Sequence, residues 1–404
     1  MADVPDRNEP GDDESEGADE PFNPFRAFPM FGDIAKALQG QGPLNWDAAR
    51  QFAVLGATQG EPEHNVDPAD RIAYTELARI AAMHVNDVTG SDAEFPEPRI
   101  VTRSQWAAET LEAYRPLFTD LATSLGQKPA ADDDAPSDPM LQMMATLSQM
   151  VGPAMMGMSV GSMVGALSQR VFGVHDLPIP RDKNEIVLVS RTINEFAGTW
   201  EIPTDQMRLW VLAHELSGHR VFAISHLRDA LADLVRAHAG GFRPDPSALT
   251  DSLGGIDPFG GGDDPMEAIQ QAFSDPEVLL GAVQSDEQRA LRPRLDAAVA
   301  AVVGYTDWVV DAVSARLVGG EALRIAEAVR RQRADATPDD VFVEKLLGIR
   351  VGEDQVRRGK AFVQGVVDRV GETGLTRLLE TPDSMPTPNE VDAPGLWIAR
   401  VGGE

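Results

Sequence analysis

The sequence has no cysteine, and this absence excludes several kinds of site at once. Disulfide cross-links, zinc sites built from thiolates and cysteine nucleophiles all require a residue that the chain does not contain. Basic residues are also scarce, because 35 Lys and Arg oppose 64 Asp and Glu, which gives a net charge of −29. This charge argues against nucleic acid and against an anionic membrane surface as partners, since both require basic patches.

The N-terminus lacks the basic start and the apolar run of a secretory signal, so we expect a cytoplasmic protein. Residues 1–21 instead carry nine acidic side chains against the single base Arg7. Almost no large apolar residue is present there to offset the entropy of ordering the chain. This segment is therefore predicted to be a disordered acidic tail.

The remaining chain predicts a mainly α fold with a small β element, because 43% of the residues of the full sequence are hydrophobic and most apolar residues recur at helical spacing. The segment Phe22–Phe31 contains four phenylalanines and is either docked on the body or a short motif for a partner. The run Glu185–Val189 is predicted to be a strand, and the arginines 330, 331 and 333 are predicted to form a solvated basic helix end. The predicted regions are an N-terminal helical region (22–127), an acidic linker (128–139), helices and a strand around the motif described below (140–240), a flexible loop (241–274) and a C-terminal helical region (275–404).

Residues 140–169 contain no charged side chain, and Gly157, Gly161 and Gly165 repeat at four-residue spacing. This pattern resembles the small-residue face of a membrane helix pair. Several Gln and Ser side chains, a Gly152-Pro153 break and the lack of flanking Lys or Arg favour two buried helices instead, the second packed through its glycines. Membrane association is therefore the less favoured interpretation.

The stretch around His214-Glu215 resembles a zinc-peptidase helix with altered spacing. In the pattern His-Glu-x-x-His the two histidines lie about 40° apart around the helix and bind one Zn²⁺, and the Glu is the general base. Here Gly218 stands four residues after His214, and the next histidine is His219. Because His219 is about 140° round the helix from His214, it cannot replace Gly218 in a regular helix.

Other segments extend the similarity from about residue 27 to 400. They are the segments 42–47, 173–178, 209–222, 304–309, 330–333, 346–348, 385–387 and 392–397. Their order resembles that of the actinobacterial zincin-like metallopeptidases of type 2, a family of zinc-dependent hydrolases. The resemblance implies a mostly helical zincin-like body, with His214 as first zinc ligand and Glu215 as general base. It places the second ligand on Gly218 and the third, acidic, ligand on Val303, and neither residue can bind a metal.

Two functions follow from these observations. The first is a family member with a degenerate metal site, which binds a protein or peptide and carries no cofactor. The alternative is an active zinc metallopeptidase that uses His214, His219 and Asp307 as ligands and Glu215 as base. Asp307 lies one turn after Val303, and a π-bulge would bring His219 into register. His175 and His226 are further ligand candidates without a spacing argument, and the sequence does not indicate an oligomeric state.

Overall fold

Helices form nearly all of the regular structure in the computed structural model, which describes residues 42–126, 139–244, 282–283, 285–334, 346–349 and 351–402. In chain order they are α1 (Trp46–Thr58), α2 (Pro68–Thr89), α3 (Arg103–Ala113), α4 (Arg115–Leu125), α5 (Pro139–Leu167), α6 (Ser190–Thr199), α7 (Thr204–Phe222), α8 (Ser225–Ala239), α9 (Asp286–Leu317), α10 (Ala322–Ala334), α11 (Glu353–Val370), α12 (Arg377–Glu380), α13 (Pro388–Asp392) and α14 (Pro394–Val401). The predicted mainly α fold is confirmed.

The β structure consists of two short pairs among the described residues. Strand β1 (Arg99–Val101) pairs in parallel with β2 (Val187–Val189), and β3 (Arg243–Pro244) pairs antiparallel with β4 (Ala282–Val283). The predicted strand is confirmed at its last three residues, which are fully buried. Its partner β1 was not predicted, because a three-residue strand far away in the chain leaves no local pattern.

Helix α7, which carries His214 and Glu215, runs through the core and contacts α2, α6, α8, α9 and α10. Neighbouring helices surround α7, so thirteen of its residues are buried. These buried residues lie on all faces of the helix. The helix begins at Thr204, directly after Pro203, and no side chain caps it. Although threonine is a common helix cap, Thr204 lies in the first turn and does not cap this helix.

The glycine stripe of α5 packs against α1, as predicted for a buried helix. A methyl group on Gly157, Gly161 or Gly165 would collide with a backbone carbonyl oxygen of α1 or the residue before it. The prediction of two helices broken at Pro153 is wrong, because α5 continues through this proline as one helix. The carbonyl oxygen of Pro153 accepts a 2.8 Å bond from the amide of Asn45, which ties the middle of α5 to the start of α1.

Several predicted segments lie outside the described residues: the acidic tail (1–21), the Phe22–Phe31 segment, residues 128–138 of the linker and residues 245–274 of the loop. The division into regions therefore stays a prediction. Within the described residues, Asp286–Leu317 is long and apolar enough to cross a membrane, and 83% of its most apolar window is buried inside the protein. A buried helix of the core passes the same test of length and composition.

The close approach of α5 to α1 predicts that Gly161→Ala destabilises the fold by about 1–3 kcal/mol, because the added methyl group has no room beside the carbonyl of Ala49. Gly152→Ala in the same helix is the matched control. No atom lies within 4 Å of its added methyl group. The control is expected to be neutral or to stabilise by up to ~1 kcal/mol through helix propensity. Chemical denaturation measures the free energy of unfolding of both variants. Equal losses of stability in the two variants would contradict this packing.

Candidate functional site

His214 and Glu215 lie side by side in the middle of α7 and are buried, with exposed fractions of 4% and 0%. The His214 ring stacks on Trp210 one turn earlier, with ring centroids 5.6 Å apart and planes 11° apart. This stacking fixes the ring plane, so the two ring nitrogens point to opposite surroundings. The Nδ1 side faces carboxylates and the Nε2 side faces a guanidinium, as described below.

Glu215 binds the loop at residues 173–175, which precedes β2. It accepts bonds from the amides of Val174 (3.2 Å) and His175 (3.1 Å) and from Nδ1 of His175 (2.8 Å). Gly173 lets the loop come this close, because a methyl group there would overlap the carboxylate of Glu215. Burial raises the pKa of Glu215, but the charges and hydrogen bonds of His175 and His214 outweigh burial and lower it to about 2.

Asp176 approaches His214 from the same loop. Its Oδ2 accepts bonds from the amides of Phe172 and Gly173 (3.0 Å for the latter), and its Oδ1 lies 4.0 Å from His214 Nδ1. Burial raises the pKa of Asp176, His214 opposes that shift, and the neighbouring Glu215 adds to it. One ligand atom each of Asp176, His214 and Glu215 lie within 4.8 Å of one another.

The space that the second motif histidine would need is taken by His175. A Cβ on Gly218 would lie 2.6 Å from Cβ and 2.8 Å from Cγ of His175. The His175 ring stacks on Phe222, with centroids 5.9 Å apart, and its Nδ1 is bound to Glu215. A second imidazole therefore lies beside Gly218, but it comes from the loop and not from the helix.

Val303 and Asp307 of α9 line the same small cavity as His214 and Gly218. The cavity measures about 20 Å³, which is room for roughly one water molecule. Val303 and Asp307, one turn apart on α9, therefore both face this cavity. Asp307 is bound by two cations, with Arg333 Nη1 at 3.5 Å and Lys360 Nζ at 3.6 Å.

Arg333 reaches the site from the end of α10. Its Nη2 lies 3.4 Å from His214 Nε2, and its side chain is 21% exposed. The prediction of a solvated basic helix end is therefore wrong for Arg333, although Arg330 and Arg331 form exposed pairs with Glu327. Only long-range packing distinguishes the three arginines, so no local signal could have identified the partly buried one.

His219 is not brought to the His214 cavity. It is 5% exposed, its ring lies 5.7 Å from Phe95 and 6.3 Å from His175, and it lines a separate cavity of about 120 Å³ beside Arg181. Burial lowers the pKa of His219 to about 4, and the charge of His175 adds to the shift. The structure thus brings Asp307 near His214 but not His219. His226 lies in the first turn of α8, outside the compact group around His214.

A larger cleft of about 560 Å³ lies between α9, α10 and α11 and shares Trp210, Asp307 and Arg333 with the site. Its walls are largely apolar, and its rim carries charges of both signs. The apolar residues are Val310, Ala326, Val329, Val351, Val356 and Ala361, and the rim residues include Asp311, Arg330, Glu353, Arg357 and Lys360. The Arg333–Asp307 pair lines both this cleft and the small cavity beside His214.

The family model of the zincin-like metallopeptidases matches residues 44–398. The chain belongs to this family. A crystal structure from Chloroflexus aurantiacus, described as a "putative hydrolase with a novel fold", has the same fold, with a TM-score of 0.57 at 22% identity. The alignment covers 89% of this chain and 99% of that one. No curated protein sequence matches the chain.

The residues at the family's metal position do not fit a catalytic zinc ion. Such an ion needs three protein ligands and an open position. The resemblance places the second position on Gly218, whose side-chain space His175 fills, and the third on Val303, which has no metal-binding atom in its side chain. The Nε2 atom of His214 faces a guanidinium, which repels a metal cation. The roles of His214 as ligand and Glu215 as base stay predictions from the resemblance.

The packing of His175 against position 218 predicts energetic coupling between the two positions. Gly218→Ala in the wild type is expected to destabilise by about 1–3 kcal/mol, because the methyl group meets the His175 ring. In a His175→Gly background the same change is expected to cost clearly less. A double-mutant cycle by chemical denaturation measures the difference. Equal costs in both backgrounds would contradict the claim that His175 fills this space.

Proposed function

We propose that this zincin-like chain does not hydrolyse peptides and acts by binding a protein or peptide segment in the cleft beside Arg333. The observation that carries the proposal is the position of Arg333, 3.4 Å from His214 Nε2. The cationic side chain stands where the family motif directs a metal ion. The absence of nucleic-acid and membrane partners and the cytoplasmic location stay predictions from charge and sequence.

Electrostatics support the replacement of a metal ion by Arg333. A guanidinium stays charged at all ordinary pH values. A zinc ion that approached Nε2 would have to displace Arg333 and separate it from Asp307. It would gain no ligand from Gly218 or Val303 in return. A single imidazole with no further ligand is a poor zinc site, because catalytic sites use three.

The cleft supports a binding function. Its volume of about 560 Å³ lies within the roughly 300–1,000 Å³ common for ligand sites. Valine side chains of α9, α10 and α11 offer apolar contact, and charges of both signs at the rim suit the polar groups of a peptide. A ligand there would meet Arg333 and Asp307 before it could reach His214, so its peptide bonds would remain away from Glu215.

The competing function is a zinc metallopeptidase with the altered ligands His214, His219 and Asp307. Family membership favours an enzyme, and Asp307 lines the same cavity as His214. This site would require His219 to pass His175 and Asp307 to release both Arg333 and Lys360. Because three contacts must be broken, we favour the non-hydrolytic function.

The non-hydrolytic proposal predicts that purified protein with added Zn²⁺ cleaves a mixed peptide library no faster than its Glu215→Gln variant. Glu215 is the residue that the family motif uses as base, so the variant defines the background rate. Mass spectrometry of the library detects products independently of sequence. Zinc-dependent cleavage that disappears in Glu215→Gln would overturn the proposal in favour of the competing function.

The binding proposal predicts that peptides selected from a displayed library bind through the cleft. Ala361 is exposed and lines the cleft, so Ala361→Trp should fill it and weaken binding at least roughly tenfold, a loss of about 1.4 kcal/mol. Ala108→Trp is the matched control, because Ala108 is an exposed helical alanine outside the cleft lining. Fluorescence polarisation measures both variants. Peptides that bind Ala361→Trp as tightly as the wild type would place the binding surface elsewhere.

A further inference from the structure

One carboxylate oxygen of Asp176 and one of Glu215 lie near Nδ1 of His214. This nitrogen is on the opposite side of the ring from Nε2, to which the family motif directs a metal ion. His214 Nδ1 is buried and has no hydrogen-bond partner among the described residues. It lies 3.7 Å from Glu215 Oε1 and 4.0 Å from Asp176 Oδ1. These separations are too long for hydrogen bonds. The Nδ1 atom of His214 thus lies near two carboxylates, at distances longer than a hydrogen bond.

The backbone holds the two carboxylates in this arrangement. Asp176 turns Oδ2 towards the amides of Phe172 and Gly173, which leaves Oδ1 directed at His214. Glu215 Oε2 accepts from the Val174 amide and the His175 ring, and the His175 amide donates to both oxygens, at 3.1 Å from Oε1 and 3.3 Å from Oε2. Outer groups that bind the far oxygens of carboxylates and orient the near ones are typical of metal sites.

We propose that Asp176 Oδ1, His214 Nδ1 and Glu215 Oε1 bind one divalent transition-metal ion, with Zn²⁺ and Mn²⁺ as the test ions. Two carboxylate oxygens and one imidazole nitrogen suit ions of this group. Ligand atoms around a tetrahedral zinc ion at about 2.0–2.1 Å lie roughly 3.3 Å apart. The two separations from His214 Nδ1, 3.7 and 4.0 Å, exceed this value by about 0.4 and 0.7 Å, and all three ligand atoms lie within 4.8 Å of one another.

This site goes beyond the proposed binding function and does not restore hydrolysis. Glu215 would be a ligand in it, so it could not also be the free general base. A cation on Nδ1 also places the ring proton on Nε2, which then meets the donor groups of Arg333. The cation and the Arg333–His214 contact therefore oppose each other through one imidazole. If Arg333 leaves His214, its guanidinium is still paired with Asp307.

The test uses full-length protein stripped with EDTA and titrated separately with Zn²⁺ and Mn²⁺ by calorimetry, followed by metal analysis after desalting. We expect one ion per chain. Asp176→Asn should lose more affinity than the roughly 10- to 100-fold typical of an outer-shell change. The matched control Asp182→Asn, an exposed aspartate six residues on, should keep wild-type affinity.

Two further variants separate this site from the alternatives. Asp307→Asn should retain the ion, whereas the ligand set His214, His219 and Asp307 requires its loss. Arg333→Gln should bind more tightly than the wild type, because it removes a positive charge and the contact that opposes the ion. Loss of the ion in Asp307→Asn, or unchanged affinity in Asp176→Asn, would overturn the proposal.

The wild type alone also tests the site if a variant fails to fold. An ion that binds the folded chain must raise the unfolding temperature with concentration. No rise with millimolar Zn²⁺ or Mn²⁺ overturns the cation site and leaves the non-hydrolytic proposal intact. Zinc-dependent peptide cleavage would have the opposite consequence, so the two failures are distinguishable.

Discussion

The hydrogen bonds from the loop at residues 173–175 to Glu215 determine the architecture of the site. They bring His175 against Gly218 and Asp176 against His214, and they bind the buried carboxylate of Glu215, whose pKa is lowered to about 2. An ionised carboxylate in the core is costly unless hydrogen bonds compensate it. Here two backbone amides and one imidazole do so, and a motif glutamate becomes an anchor for the loop.

Loss of the motif histidine and the position of the loop are parts of one arrangement. A side chain at position 218 and the His175 ring cannot both occupy the same space. On the α9 side of the cavity, Val303 offers no atom that could bind a metal ion. Arg333 supplies positive charge next to His214 Nε2. Side chains of the protein itself therefore occupy the space beside Gly218 and supply positive charge next to His214.

Much of this could be predicted from the sequence. Local pattern identified the α7 helix with His214 and Glu215, the β2 strand and the glycine stripe of α5, because periodicity and spacing are local properties. The resemblance directed attention to Gly218, Val303 and Asp307, and all three line the small cavity. The roles of Asp176, His175 and Arg333 were missed. Each depends on a contact with a residue 38 to 119 positions away in the chain, which no local pattern encodes.

Anomalous diffraction at the zinc edge from crystals soaked in Zn²⁺ tests the central claim most directly, because it locates any ion relative to the two nitrogens of His214. The account predicts no peak at coordination distance from Nε2 and Arg333 in its place beside that atom or paired with Asp307. Any bound ion should lie on the Nδ1 side, between Asp176 and Glu215. A zinc peak about 2.0–2.1 Å from Nε2, with Arg333 displaced and His219 or Asp307 among the ligands, would contradict it.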